Sequence, residues 1–143
     1  MIDYYKTCAF PKPGSTKKKK KVNGYKEKAK RRCAYTGLPN AERHELFYGS
    51  GTRQVSIDHG LQVDLHPLIH KLFHGESIPA EMLEPLCVAG MFPDPLDWAA
   101  KEQHRLRKEA QEKWELKIRA EMGLSAKDAR RAWVDLVGGS CLD

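Results

Sequence analysis

At 143 residues, with 31% of them charged and a formal net charge of +6, the chain is long enough for one domain with a modest core and too short for two. No stretch approaches the roughly 20 consecutive apolar residues of a membrane helix. The positive balance favours a polyanionic partner such as nucleic acid.

The N-terminus, MIDYYKTCAF, lacks the apolar stretch of a signal peptide, which points to an intracellular, cytoplasmic protein. Cys8, Cys33, Cys87 and Cys141 are scattered, and in a reducing compartment they are expected to be free thiols. From Pro11 to Arg32 the chain is strongly basic, with Lys17, Lys18, Lys19, Lys20 and Lys21 in a row. Such a segment cannot bury enough apolar surface to offset its ordering entropy, so residues 1–30 are expected to form a flexible basic arm. The arm is either a solubilising tail or a phosphate-tracking segment whose hold weakens steeply with salt.

Residues 31–143 form the expected single domain, of α+β class, beginning with a ββα unit over 31–76. CAYTG, residues 33 to 37, suits a tight knuckle in which Gly37 is free to take a positive φ. ERHELFYG, residues 42 to 49, is the first extended piece, and GSGTRQ after it is a flexible loop. In QVSIDHGLQVDL the partial alternation of Leu61, Val63 and Leu65 predicts a strand. Pro67 then occupies a first helical position, giving a short helix that Gly75 stops.

The extension over 77–143 is expected to be helical. Ile78 to Leu86 is predicted as one short helix and Cys87 to Pro93 as a loop. A long helix opens at Asp94-Pro95, with the acid at the N-cap, proline at the first helical position and Asp97 in the first turn. Leu106, Ala110, Trp114, Ile118 and Met122 make one apolar stripe on it. The stripe is either core packing against the ββα unit or the seam of a homodimer. Gly123 ends this helix, and Ser125 with Asp128 starts a last one that runs to Gly138.

The chemistry concentrates in HPLIHKLFHG, residues 66 to 75, where His66, His70 and His74 recur every four residues. Residues four apart share a helix face, so His70 and His74 can reach one ion. Neutral imidazole is the commonest nitrogen ligand for transition metals. His44, on the preceding strand, is the natural third ligand; the alternative is a set of ordinary surface or helix-end histidines.

A strand histidine, a glycine-containing loop, a second strand and His-x3-His on a short helix form an order that resembles the HNH, or ββα-metal, nucleases, closest to those of phages and prophages. CAYTG, ERHELFYG, GTRQVSIDHGLQV and DLHPLIHKLFHG stand where that family has its knuckle, histidine pair, basic loop and histidine-rich helix. The likeness continues through KEQHRLRKEAQEKWE to AWVDLVGGSCLD. It implies that His44 and His70 are ligands of one divalent cation (Mg2+, Mn2+ or similar), and that His74 matches the third histidine of colicin-type DNases. It further implies DNA as the substrate and a bacterial host cytoplasm as the setting.

The departures from the pattern are specific. The general-base position falls on Glu45 where the family has histidine, and a glutamate of ordinary pKa, about 4.3, is a weak base. A shifted register would make His44 the base and leave Arg43 at the ligand place, but Gly49 then falls out of line. Of the zinc knuckle only Cys33 survives: Thr36, His66 and Ile69 occupy the other three places. A structural zinc is therefore not expected, and packing must hold the knuckle. Arg31, Arg32 and Arg53 are candidate phosphate contacts, or else ordinary solvated arginines. Two functions follow: a metal-dependent DNA endonuclease acting in recombination, replication or packaging, or a non-catalytic nucleic-acid-binding protein on the same scaffold.

Overall fold

The computed structural model describes residues 30–142. The basic arm, including Lys17 to Lys21 and Cys8, lies outside the described residues. The architecture is α+β: strand β1 (Glu42–Glu45), helix α1 (Arg53–Asp58), strand β2 (Gln62–Leu65) and helix α2 (Pro67–Phe73), then a helical extension. The extension holds α3 (Ala80–Leu83) with a 3-10 turn over Glu84–Leu86, the long α4 (Pro95–Met122) and α5 (Ala126–Val137).

The knuckle before β1 is closed by its own backbone. Cys33 N donates to Leu38 O at 2.9 Å and Gly37 N to Cys33 O at 2.9 Å, with Gly37 at φ +71°, which a Cβ would disfavour. Ala34 N donates to Asp64 O at 2.9 Å, tying the knuckle to β2. The two strands pair antiparallel, His44 opposite Val63 and Arg43 opposite Asp64. The latter pair is also joined side chain to side chain at 3.1 Å.

Residues 49–52 form the expected loop, but helix α1 takes the Arg53-Gln54 that ends GSGTRQ and the VSID that opens the stretch read as leading into a strand. This correction confines β2 to Gln62–Leu65. The helix carries a single buried residue, Ser56, so no apolar period betrays it. What holds it is non-local: Ser56 Oγ donates to Phe47 O at 2.7 Å and accepts from Phe47 N at 3.0 Å. A second correction lies in the extension, where the single helix expected over Ile78 to Leu86 is an α-turn followed by a 3-10 turn. Pro79 stands at its N-cap and Pro85 falls inside, where its missing N–H and fixed φ stop an α-helix.

The other ends match the sequence signals. Asp94 Oδ1 accepts from Asp97 N at 3.1 Å, Ser125 Oγ accepts from Asp128 N at 3.1 Å, and Gly123 terminates α4 in the left-handed region at φ +65°. Pro67 opens α2, whose preceding residue His66 caps it by accepting from Leu68 N.

The core joins the knuckle, β2, α2 and the start of α4: Cys33, Leu65, Ile69, Phe73, Leu83 and Trp98 belong to one buried cluster. Burying side chains of this kind stabilises by about 1.5–3 kcal/mol each. The apolar stripe of α4 contributes less than expected. Leu106 packs on the core, and Trp114 stacks obliquely on Trp133 at 5.4 Å. Farther on, Ala110 and Ile118 are half-buried along an open groove of about 720 Å³ beside Leu61 and Val63, while Met122 is exposed. Facing inward on α4 are three polar residues, Gln103, Gln111 and Glu115. Gln111 holds the C-terminal tail, its amide donating to Ser140 Oγ at 2.9 Å and accepting from Cys141 N at 2.7 Å. Arg130 neutralises the buried Glu115 at 2.6 Å.

Candidate metal centre

His44 sits in β1 and is fully buried, because the strand's inner face is covered by α2 and α4. His70 lies in α2 and His74 caps its C-terminus, its N–H bonded to His70 O. The three converge. The His44 ring centroid is 5.1 Å from that of His70 and 5.0 Å from that of His74. One nitrogen from each histidine lies within 4.8 Å of the other two. Nitrogens sharing an ion at 2.0–2.1 Å in tetrahedral geometry are about 3.4 Å apart, so closure on the order of 1 Å completes the set.

Two contacts prepare the helix histidines for that role. Glu42 Oε2 lies 2.8 Å from His70 Nδ1, an orientation that leaves Nε2 facing the cluster, as carboxylate–histidine–metal arrangements do. His70 Nε2 in turn is 3.1 Å from His74 Nε2. Glu42 and His44 are two residues apart on one strand, hence on one face. That spacing was a legible signal, and the sequence reading missed Glu42 all the same.

The electrostatics favour the neutral form of His44 and His74, the form in which imidazole ligates metals. Burial, then His70, His74 and Arg107, push His44 down to about 3. Burial and then His70 also lower His74, against an opposing pull from Glu76 and Glu45. His44 Nε2 is 3.0 Å from the amide nitrogen of Gln103 on α4, whereas His44 Nδ1 is buried with no hydrogen-bond partner. An orphaned polar atom of this kind costs about 1–3 kcal/mol, and ligating a cation would remove that cost. Three imidazole nitrogens suit zinc, nickel or cobalt better than the hard ions, which prefer oxygen. The residues present therefore fit a divalent metal.

Glu45 ends β1 and is mostly buried, with Arg53 of α1 paired to it at 3.6 Å. It is close enough to His74 to raise that residue's basicity, so the candidate base borders the histidine group. Arg53 itself is two-thirds exposed, beside the site and open to solvent. Arg32 is used locally, its guanidinium donating to Gly37 O at 3.1 Å, and Arg31 accepts Ala41 N at its carbonyl. His59 stands apart, near Trp114 in the groove, and His66 is the cap of α2. Cys33 and Ile69, two of the four knuckle places, are members of the apolar cluster. Cys33 Sγ accepts from Tyr35 N at 3.4 Å.

No protein-family model, no curated protein and no solved structure matches this chain.

Sequence reasoning also missed Gln103 and Arg107. Arg107 donates to Leu46 O at 2.6 Å and lies over the Phe47 and Tyr48 rings at 5.4 and 5.5 Å, walling the side of the site toward α4. Both come from a charged helical run some sixty residues downstream of β1, with nothing local to distinguish them from their neighbours.

Proposed function

We propose that the chain is a metal-dependent phosphodiesterase of HNH type that cuts DNA. The observation that carries the reading is the convergence of His44 from a strand with His70 and His74 from the following short helix. A divalent cation bound there supplies positive charge for the scissile phosphate and for the leaving oxygen. His44, His70 and His74 hold it in place, and Glu42 fixes the orientation of His70. Glu45 takes the proton from the attacking water as its oxygen bonds to phosphorus. The bond from phosphorus to the departing deoxyribose oxygen breaks, and that oxygen is protonated from solvent. Arg53 and the Lys17–Lys21 run supply charge for the flanking phosphates. Expression in a bacterial cytoplasm from a phage or prophage follows from the resemblance alone.

The ion pair between Glu45 and Arg53 favours a second reading, a DNA-binding module in which the glutamate serves as a structural partner. Incubating supercoiled plasmid with the protein and Mg2+, Mn2+ or Ni2+ separates the two. For the enzyme, Glu45→Gln removes cleavage by a factor of about 10² to 10⁴ with metal binding retained, and Glu45→His keeps or raises it. No cleavage by the wild type with any of these ions, joined to cleavage by Glu45→His, establishes the binding module. Cleavage untouched by Glu45→Gln removes Glu45 from the mechanism.

A further inference from the structure

His44 has two ring nitrogens, and the fold treats them differently. Nε2 lies 3.0 Å from the side-chain amide of Gln103. Nδ1 is buried and meets nothing. Gln103 is itself buried, at 8% exposure, and reaches His44 from a helix 59 residues away in sequence.

A neutral imidazole carries one proton, so one nitrogen donates and the other presents a lone pair. The carboxamide of Gln103 offers either a donor or an acceptor to Nε2, the two being interchanged by a half-turn about its last bond. With the amide nitrogen facing Nε2, the proton must sit on Nδ1, where it has no acceptor. With the amide oxygen facing Nε2, the proton sits on Nε2 and is satisfied, and the bare lone pair is left on Nδ1. Only the second arrangement makes the partnerless nitrogen a ligand.

We propose that Gln103 is a positioning residue of the metal centre: its amide oxygen accepts the Nε2 proton of His44 and so commits Nδ1 to the cation. Glu42 does for His70 what Gln103 does for His44, and it acts there on Nδ1. The two histidines therefore ligate through opposite ring nitrogens, Nδ1 from the strand and Nε2 from the helix. The neutral amide leaves the site one negative charge poorer than a second carboxylate would. This inference rests on the histidine group binding a metal.

The test uses the full-length chain and Zn2+ alone. Calorimetric titration should give Gln103→Leu an affinity 10- to 100-fold below that of the wild type, the usual range for losing an outer partner, while Gln103→Glu restores it or exceeds it. Long-range proton–nitrogen NMR of the wild-type zinc complex should find His44 protonated at Nε2 and ligated at Nδ1, a result that does not depend on any variant folding. Ligation through Nε2, or equal affinities for wild type and Gln103→Leu, overturns the role of Gln103 and leaves the metal site standing. Failure of the wild type to take up Zn2+ overturns both.

Discussion

Glu42 Oε2 lies 2.8 Å from His70 Nδ1, joining the first residue of β1 to the middle of α2 across the space that the histidine group borders. The contact does two things. It crosses from strand to helix, and it fixes the rotation of a ring whose other nitrogen faces His74. Glu42→Gln should therefore weaken Zn2+ or Mn2+ binding by about 10- to 100-fold. Calorimetry should resolve this change, and an unaltered affinity would show that the carboxylate serves the fold alone.

Acid should destabilise the apoprotein through His44. Its pKa is about 3 in the folded chain and about 6.5 when unfolded. Between these values the unfolded chain binds a proton that the folded one refuses, so stability rises with pH across that window and is lost as pH falls through it. The slope from this one group is at most about 1.4 kcal/mol per pH unit. Denaturant melts from pH 7 to pH 4 should show a decline that His44→Asn makes shallower; equal slopes would deny His44 this part.

Ile69 is fully buried in the cluster that also holds Cys33, at a place where the sequence resemblance would put a zinc ligand. Ile69→Ala should cost about 2–5 kcal/mol, the range for emptying a packed aliphatic site. Chelator added to the purified protein should leave its far-ultraviolet circular dichroism unchanged. A chelator-induced loss of structure would mean that the knuckle depends on metal after all.

Deleting residues 11–30 should weaken DNA binding on every sequence tested and flatten its dependence on salt, because fewer counterions are released. Binding isotherms at several salt concentrations give the slope directly. An unchanged slope would reduce the lysine run to a solubilising tail.

Much of the local architecture was legible in the chain. Proline at a first helical position, Asp94 and Ser125 as caps, and glycine after Met122 and Val137 act within one turn of themselves, so α2 begins, and α4 and α5 begin and end, where these residues dictate. The spacing of His70 and His74, one turn apart, likewise fixed their shared direction before any folding. Other features answered to distant partners. Helix α1 exists because Ser56 bonds the backbone of Phe47, and the inner face of α4 is polar because Gln103, Gln111 and Glu115 each meet a group from another element or tail. The apolar stripe read by period therefore joins the core at Leu106 and at Trp114, which meets Trp133, and walls a groove at Ala110 and Ile118. The difference is physical: caps and helical periods are encoded within a few residues, whereas a buried polar side chain is tolerated only where tertiary structure brings it a partner. His44 belongs to both kinds. Its strand position was written in the sequence, but its burial, its neutral state and its meeting with Gln103 were decided only when α4 closed over the sheet.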